Sequence, residues 1–177
     1  MIEFNKLVRD KIPEKIKNNG EVPITRVLDN NEFLTELRKK LIEEYNELLL
    51  AIKSDNKEDI LEESADFLEV LKKINELNCY SFDYILSLIE KGNNVNNDLL
   101  KLLDDQFKEI TKIEFNDKEN ILLRTIIIIK IIKSLNELNN YSFYYVLNIM
   151  DKKREKKGGF QKKIFLIKTL DSEDLQK

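Results

Sequence analysis

Histidine is absent from this chain of 177 residues. That removes histidine-ligated zinc, Ser-His-Asp and Cys-His catalysis, and histidine nucleophiles from consideration. Cys79 is the one cysteine, so an internal disulfide is excluded and a reducing, cytoplasmic setting is expected. Glycine and proline are scarce, at four and two residues, and both prolines fall within the first 23 positions. Neither G-x-x-x-x-G-K-[ST] nor G-x-G-x-x-G occurs, which excludes the usual glycine-built phosphate loops. Long apolar runs are missing too. The most apolar stretch, Ile121 to Ile132, is broken by Arg124 and Lys130 and is too short to cross a bilayer, so no membrane partner is expected. The opening MIEFNKLVRDKIPEK is charged and lacks the apolar core of a secretory signal. An excess of one charge sign is also absent. The net charge is −3, so bulk electrostatics do not call for a nucleic-acid partner. The chemistry left to this chain is that of carboxylates, lysines, arginines and a bound metal.

What is present is helical periodicity. Apolar residues are 42% and charged residues 36%, which suits a strongly helical protein with an ordinary core. Strand-like alternation is rare and apolar residues recur at helical spacing, so the expected fold class is all-α. A short helix is expected from Asp10 to Asn19, ended by Gly20, and the segment Glu21 to Leu28 (EVPITRVL) should be extended around Pro23. Asp29 or Asn30 should cap a long helix to about Lys53, Asp55 or Asn56 a second to about Leu77, and Ser81 a third to about Lys91. GNNVNND, from Gly92 to Asp98, should break the chain.

The second half repeats the first. NKEDIL and NELNCYSFDYIL return as DKENIL and NELNNYSFYYVL at a constant offset of 61 residues. Aligning Arg38–Lys91 with Leu99–Lys152 gives 18 identities in 54 positions, which marks a tandem duplication. Each copy is a helical hairpin plus a shorter helix. Two copies placed face to face would form an intramolecular pseudo-dimer, either a monomer or a chain that pairs again. The expected domains are residues 1–95, the N-terminal segment and first copy, and residues 96–177, the second copy and a basic Gly-Gly tail.

The first copy carries Glu44-x-x-Glu47 before its turn and Glu63-x-x-Asp66 after it. Both pairs lie about 9.5 residues from Asp55, roughly 14 Å at ~1.5 Å per residue, so an antiparallel hairpin brings them to one height. Glu44 interrupts the stripe Leu34, Leu37, Leu41, Leu48, Ile52, and Glu63 follows Ile60 by three residues. Acids at the seam of a hairpin repel one another and are desolvated unless a cation neutralises them; carboxylates alone suit Mg²⁺ or Mn²⁺. In the second copy these positions are Asp105, Lys108, Arg124 and Ile127, so the hairpin forms without the acids. One metal site per chain is expected. Tyr80, Phe82, Tyr141 and Phe143 recur on either side of a serine cap in both copies and are expected to serve packing.

An E-x-x-E, a short spacer and E-x-x-D on a helical hairpin resemble the MazG-like all-α nucleoside triphosphate pyrophosphohydrolases. NKLVRDKIPEKI (Asn5 to Ile16), PITRVLD (Pro23 to Asp29) and KKREKKGGFQKKIFL (Lys152 to Leu166) are similar to its phosphoribosyl-ATP pyrophosphohydrolase-like subgroup. The degenerate second copy is a departure from it. The resemblance implies Mg²⁺-dependent cleavage of a nucleotide between its α and β phosphates, giving a monophosphate and pyrophosphate. It implies Glu44, Glu47, Glu63 and Asp66 as metal ligands, with Glu44 and Glu47 the catalytic candidates and Glu69 in support. Lys6, Arg9, Lys11, Arg154, Lys156 and Lys157 would meet the substrate's phosphates. A protein that captures a nucleotide without cleaving it, and a plain helical scaffold, are the alternatives.

Overall fold

The computed structural model describes residues 1–89 and 98–171. The expected break at Gly92 to Asp98 lies outside the described residues except for Asp98, and so does the expected domain boundary at 95/96. By spatial clustering the chain divides into unit 1, residues 1–40 and 151–177, and unit 2, residues 41–150.

Unit 1 corrects the all-α expectation. It holds a three-stranded antiparallel sheet made of β1 (Ile2–Val8), β2 (Glu21–Val27) and β3 (Ile164–Asp171), in the order β1-β3-β2. The extended segment expected from Glu21 is β2. The basic Gly-Gly tail, for which no strand is expected, contains the central strand. Its central position follows from composition, because Ile164, Phe165, Leu166 and Ile167 are apolar and Ile164, Ile167 and Thr169 are β-branched. The strands escape a local reading because β3 meets β1 across the whole length of the chain, pairing Val8 with Ile164 and Leu7 with Phe165, with no hairpin turn to announce it. Between β1 and β2 runs α1 (Ile12–Asn18), with Pro13 in its first turn and Gly20 beyond its end at φ +84°. Asp29 and Glu32 form a reciprocal capping box at the start of α2 (Asn30–Lys53). The Glu32 N–H donates to Asp29 at 2.8 Å and the Asp29 N–H to Glu32 at 3.2 Å.

Unit 2 is helical in its described residues. It contains the C-terminal part of α2, then α3 (Lys57–Leu77), α4 (Phe82–Ile89), α5 (Leu99–Lys112), α6 (Lys118–Leu138) and the start of α7 (Phe143–Lys157). Caps occupy the expected kinds of residue. Asn56 accepts from the Glu58 and Asp59 N–H groups, Asp117 from Asn120, and Ser81 and Ser142 from Tyr84 and Tyr145. The repeat extends to backbone detail, with Cys79 at φ 70° and its counterpart Asn140 at φ 68°. Tyr80 stacks on Tyr84 and Tyr141 on Tyr145, so these rings pack within their own copies.

The two copies meet through α3 and α6, which pack together. Asn75 donates to the Thr125 hydroxyl at 2.9 Å, and Asn136 donates to the Ser64 hydroxyl at 2.9 Å. Asn136 is the counterpart of Asn75, and Thr125 of Ser64, so the two bonds exchange places under the repeat. The second amide hydrogen of each asparagine goes one turn back along its own helix, to the Leu71 and Ile132 carbonyls. All four side chains are fully buried. A buried donor that loses its acceptor costs about 1–3 kcal/mol. Thr125→Val leaves the Asn75 amide in that state, so it should lower stability by about that much in urea denaturation. Ser64→Ala should match it at the other pair.

Candidate metal centre

The turn between α2 and α3 sets the height of the acids. Asp55 takes φ 52°, and the Ser54, Asp55 and Asn56 N–H groups donate back to Leu50, Ile52 and Ala51, closing the end of α2 before Asn56 starts α3. The hairpin then brings one carboxylate oxygen each from Glu44, Glu63 and Asp66 within 4.8 Å of one another. Glu44 is 4% exposed, Asp66 9%, and Glu63 is half-buried. Glu47, on the same helix as Glu44, is exposed and stands outside this trio. Glu69 is buried one turn beyond Asp66.

Three carboxylates this close, two of them largely removed from water, repel each other and lose hydration. A hard divalent cation answers both costs, and an all-oxygen donor set matches Mg²⁺ or Mn²⁺. The second copy shows the contrasting arrangement. Arg124 stands at the position of Glu63 and donates to Gln106 at 2.8 Å, Ile127 replaces Asp66, and Asp105 is exposed. Among the described residues no second acidic group of this kind occurs.

Two features of the helices that carry the trio escape a reading of sequence alone. Lys73 is 8% exposed and lies two helical turns beyond Asp66, with its ammonium 3.6 Å from Glu76. In the sequence Lys72 and Lys73 look like a solvated pair. Only the spacing 66, 69, 73, which shares one helix face, hints that Lys73 belongs with the buried acids. The other feature is Tyr45, next to Glu44. Burial first, then the hydrogen bond its hydroxyl donates to Asp104 at 2.9 Å, raises the phenol above its ordinary value. Asp104 is held below the usual carboxylate range, chiefly by its hydrogen bond from Lys108 and then by that from Tyr45.

The expected phosphate-binding residues all belong to unit 1, where several have structural partners. Arg9 is 6% exposed, its guanidinium 5.6 Å from the centre of the Phe160 ring. The Lys11 ammonium donates to the Glu155 carbonyl at 2.7 Å, satisfying a free carbonyl in the last turn of α7. Lys6 and Lys156 are exposed, Arg154 and Lys157 half-buried. The motifs around Asp10 and Gly158, far apart in sequence, form one clasp. The Asp10 N–H donates to the Gly159 carbonyl at 2.8 Å and the Lys11 N–H to the Lys157 carbonyl at 2.9 Å. The Asp10 carboxylate accepts from the Gln161 and Lys162 N–H groups.

Unit 1 has 18 lysines and arginines against 12 acids, a net +6, while unit 2 has 12 against 21, a net −9. The small overall charge therefore conceals a basic and an acidic unit.

Comparison with known proteins adds one partial match. The chain is 47% identical over 45 residues to an uncharacterized protein of Mycolicibacterium smegmatis (strain ATCC 700084 / mc(2)155). That stretch covers 25% of this chain and 46% of the other, so the chain spans less than half the length of the relative it matches. No protein-family model matches, and no solved structure matches.

The clasp leaves no room for a side chain at Gly158. It takes φ +81°, and a Cβ there would lie 2.9 Å from the Asp10 Cβ and 3.0 Å from the Lys11 nitrogen. Gly158→Ala combines left-handed strain with overpacking and should cost about 2–4 kcal/mol in urea denaturation. Gly20→Ala meets no neighbour within 4 Å and should cost only the strain, about 1–2 kcal/mol.

Proposed function

We propose that this protein is a Mg²⁺-dependent, MazG-like nucleotide pyrophosphohydrolase that cleaves its substrate between the α and β phosphates. The observation that carries the reading is the trio of Glu44, Glu63 and Asp66 at one height of a helical hairpin, two of the three buried. Buried carboxylates gathered at a seam are costly to folding, and the second copy dispenses with them, so packing does not call for them. Glu44, Glu63 and Asp66 would hold the cation, and Glu47, exposed one turn from Glu44 and outside the trio, is the fourth ligand that the resemblance implies. When bound, the cation supplies charge neutralisation and Lewis acidity toward phosphate oxygens. Glu44 orients the attacking water and accepts its proton, a task suited to a carboxylate largely shielded from solvent. Glu69 supports the ligands from the next turn. Lys6, Arg9, Lys11, Arg154, Lys156 and Lys157, all of unit 1, are the phosphate-contacting candidates that the resemblance implies. No helix among the described residues is long and apolar enough to cross a membrane. A reducing cytoplasm, where nucleotides are plentiful, is the proposed location.

The test is purified protein with Mg²⁺ against canonical and modified nucleoside triphosphates and phosphoribosyl-ATP, with products resolved by chromatography. Release of a monophosphate and pyrophosphate is expected, abolished by EDTA. Glu44→Gln and Asp66→Asn should each lower turnover about 100-fold or more while the thermal transition is kept. Tight binding of an intact nucleotide without cleavage would instead make this a nucleotide-sequestering protein. Neither cleavage nor binding would leave the acids without present chemistry.

A further inference from the structure

The acids of the first copy are braced by rings, one of which comes from the second copy. Tyr45 follows Glu44 on α2 and Phe67 follows Asp66 on α3, so each ring is tied through the backbone to a ligand of the trio. Phe107 of α5 touches both. Its ring lies 3.6 Å from that of Tyr45, centre to centre and nearly parallel at 8°, and 6.2 Å from that of Phe67 at 56°. Tyr45 and Phe67 are themselves 6.1 Å apart. All three rings are buried. The far end of Tyr45 is also held, because its hydroxyl donates to Asp104 one turn before Phe107 on α5.

This brace is not a by-product of the duplication. Under the repeat Tyr45 corresponds to Gln106, Phe107 to Asn46 and Asp104 to Glu43, so no mirror-image cluster exists. Where the second copy would carry it, Gln106 receives Arg124 instead. The ring cluster stands on the side that keeps the acids, and a residue of the side that lost them completes it.

We propose that Asp104 and Phe107 are positioning residues for Glu44 and Asp66, acting through Tyr45 and Phe67, so that the second copy sets the spacing of the first copy's site. The proposal rests on the metal-binding reading of the trio. Its physical basis is the leverage of a helix. Side chains extend about 5–6 Å from a helix axis, so a rotation of α2 by ~20° would move the Glu44 carboxylate by about 2 Å. Metal–oxygen distances tolerate only about 0.2 Å, and Mg²⁺ demands near-octahedral geometry. A tyrosine stacked along its face and bonded at its tip resists that rotation.

The experiment is Mn²⁺ binding by calorimetry, with amide hydrogen exchange over residues 42–47 measured on the metal-free protein. Asp104 is partly exposed, so Asp104→Ala leaves the core intact. Asp104→Ala and Tyr45→Phe should each weaken Mn²⁺ binding about tenfold, as removing an outer support does. The double variant should be no weaker than either single one, because both break the same bond. Asp104→Asn keeps an acceptor and should recover most of the affinity. Exchange at 42–47 should quicken in Asp104→Ala while the melting temperature changes little. Wild-type affinity in Asp104→Ala, or losses that simply add in the double variant, would overturn the proposal. If the wild-type protein takes up no Mn²⁺, the metal reading fails on its own account. Exchange then decides the brace: quicker exchange in Asp104→Ala upholds the anchoring of α2 by α5, and unchanged exchange refutes it.

Discussion

Two buried amide-to-hydroxyl bonds, Asn75 to Thr125 and Asn136 to Ser64, set the register on which the helical unit depends. An apolar interface of leucines and isoleucines can slide or rotate with little loss, since dispersion contacts are individually weak and replaceable. A buried amide hydrogen has one acceptor in reach, and leaving it unmet costs more than the bond contributes. Paired reciprocally, the two bonds allow a single arrangement of α3 against α6. Everything further out inherits that register. α5 packs on α6, so the position of Phe107 and Asp104, and with them Tyr45, follows from it.

Duplication allowed the two copies to diverge in chemistry while keeping this interface. The asparagines, the turn residues and the caps persist at matched positions, whereas the acids persist only in the first copy. At the Glu63 position the second copy has a guanidinium that donates to Gln106, a positive charge where the first copy has a carboxylate. A homodimer could not make this division, because any change at one site would appear at both. The gain is that one half can be tuned as support for the other, as the rings around Tyr45 illustrate.

Unit 1 is built on a different principle. Its sheet joins the two ends of the sequence, with β3 between β1 and β2, and the turn at Gly158 is fastened to Asp10 by backbone bonds that no side chain could replace. This gives a structural meaning to the two motifs that carry the resemblance at the chain ends. Arg9 and Lys11, expected as phosphate ligands, also pack on Phe160 and cap α7.

Sequence alone determined whatever depends on neighbours in the chain. The capped helices, the extended segment at Pro23, the duplication and the matched height of the acids all follow from local propensity and the 3.6-residue period, and α3 begins after Asn56 as its cap requires. The tertiary structure decided what depends on residues far apart. It made a central strand of the tail, drew Lys73 into the interior, left Glu47 outside the trio, and gathered the positive charge into one unit by joining residues 1–40 to 151–177. The physical reason is common to these cases. Strand pairing, burial and the charge of a folded unit are set by which segments meet, and periodicity along one segment carries no record of its partner.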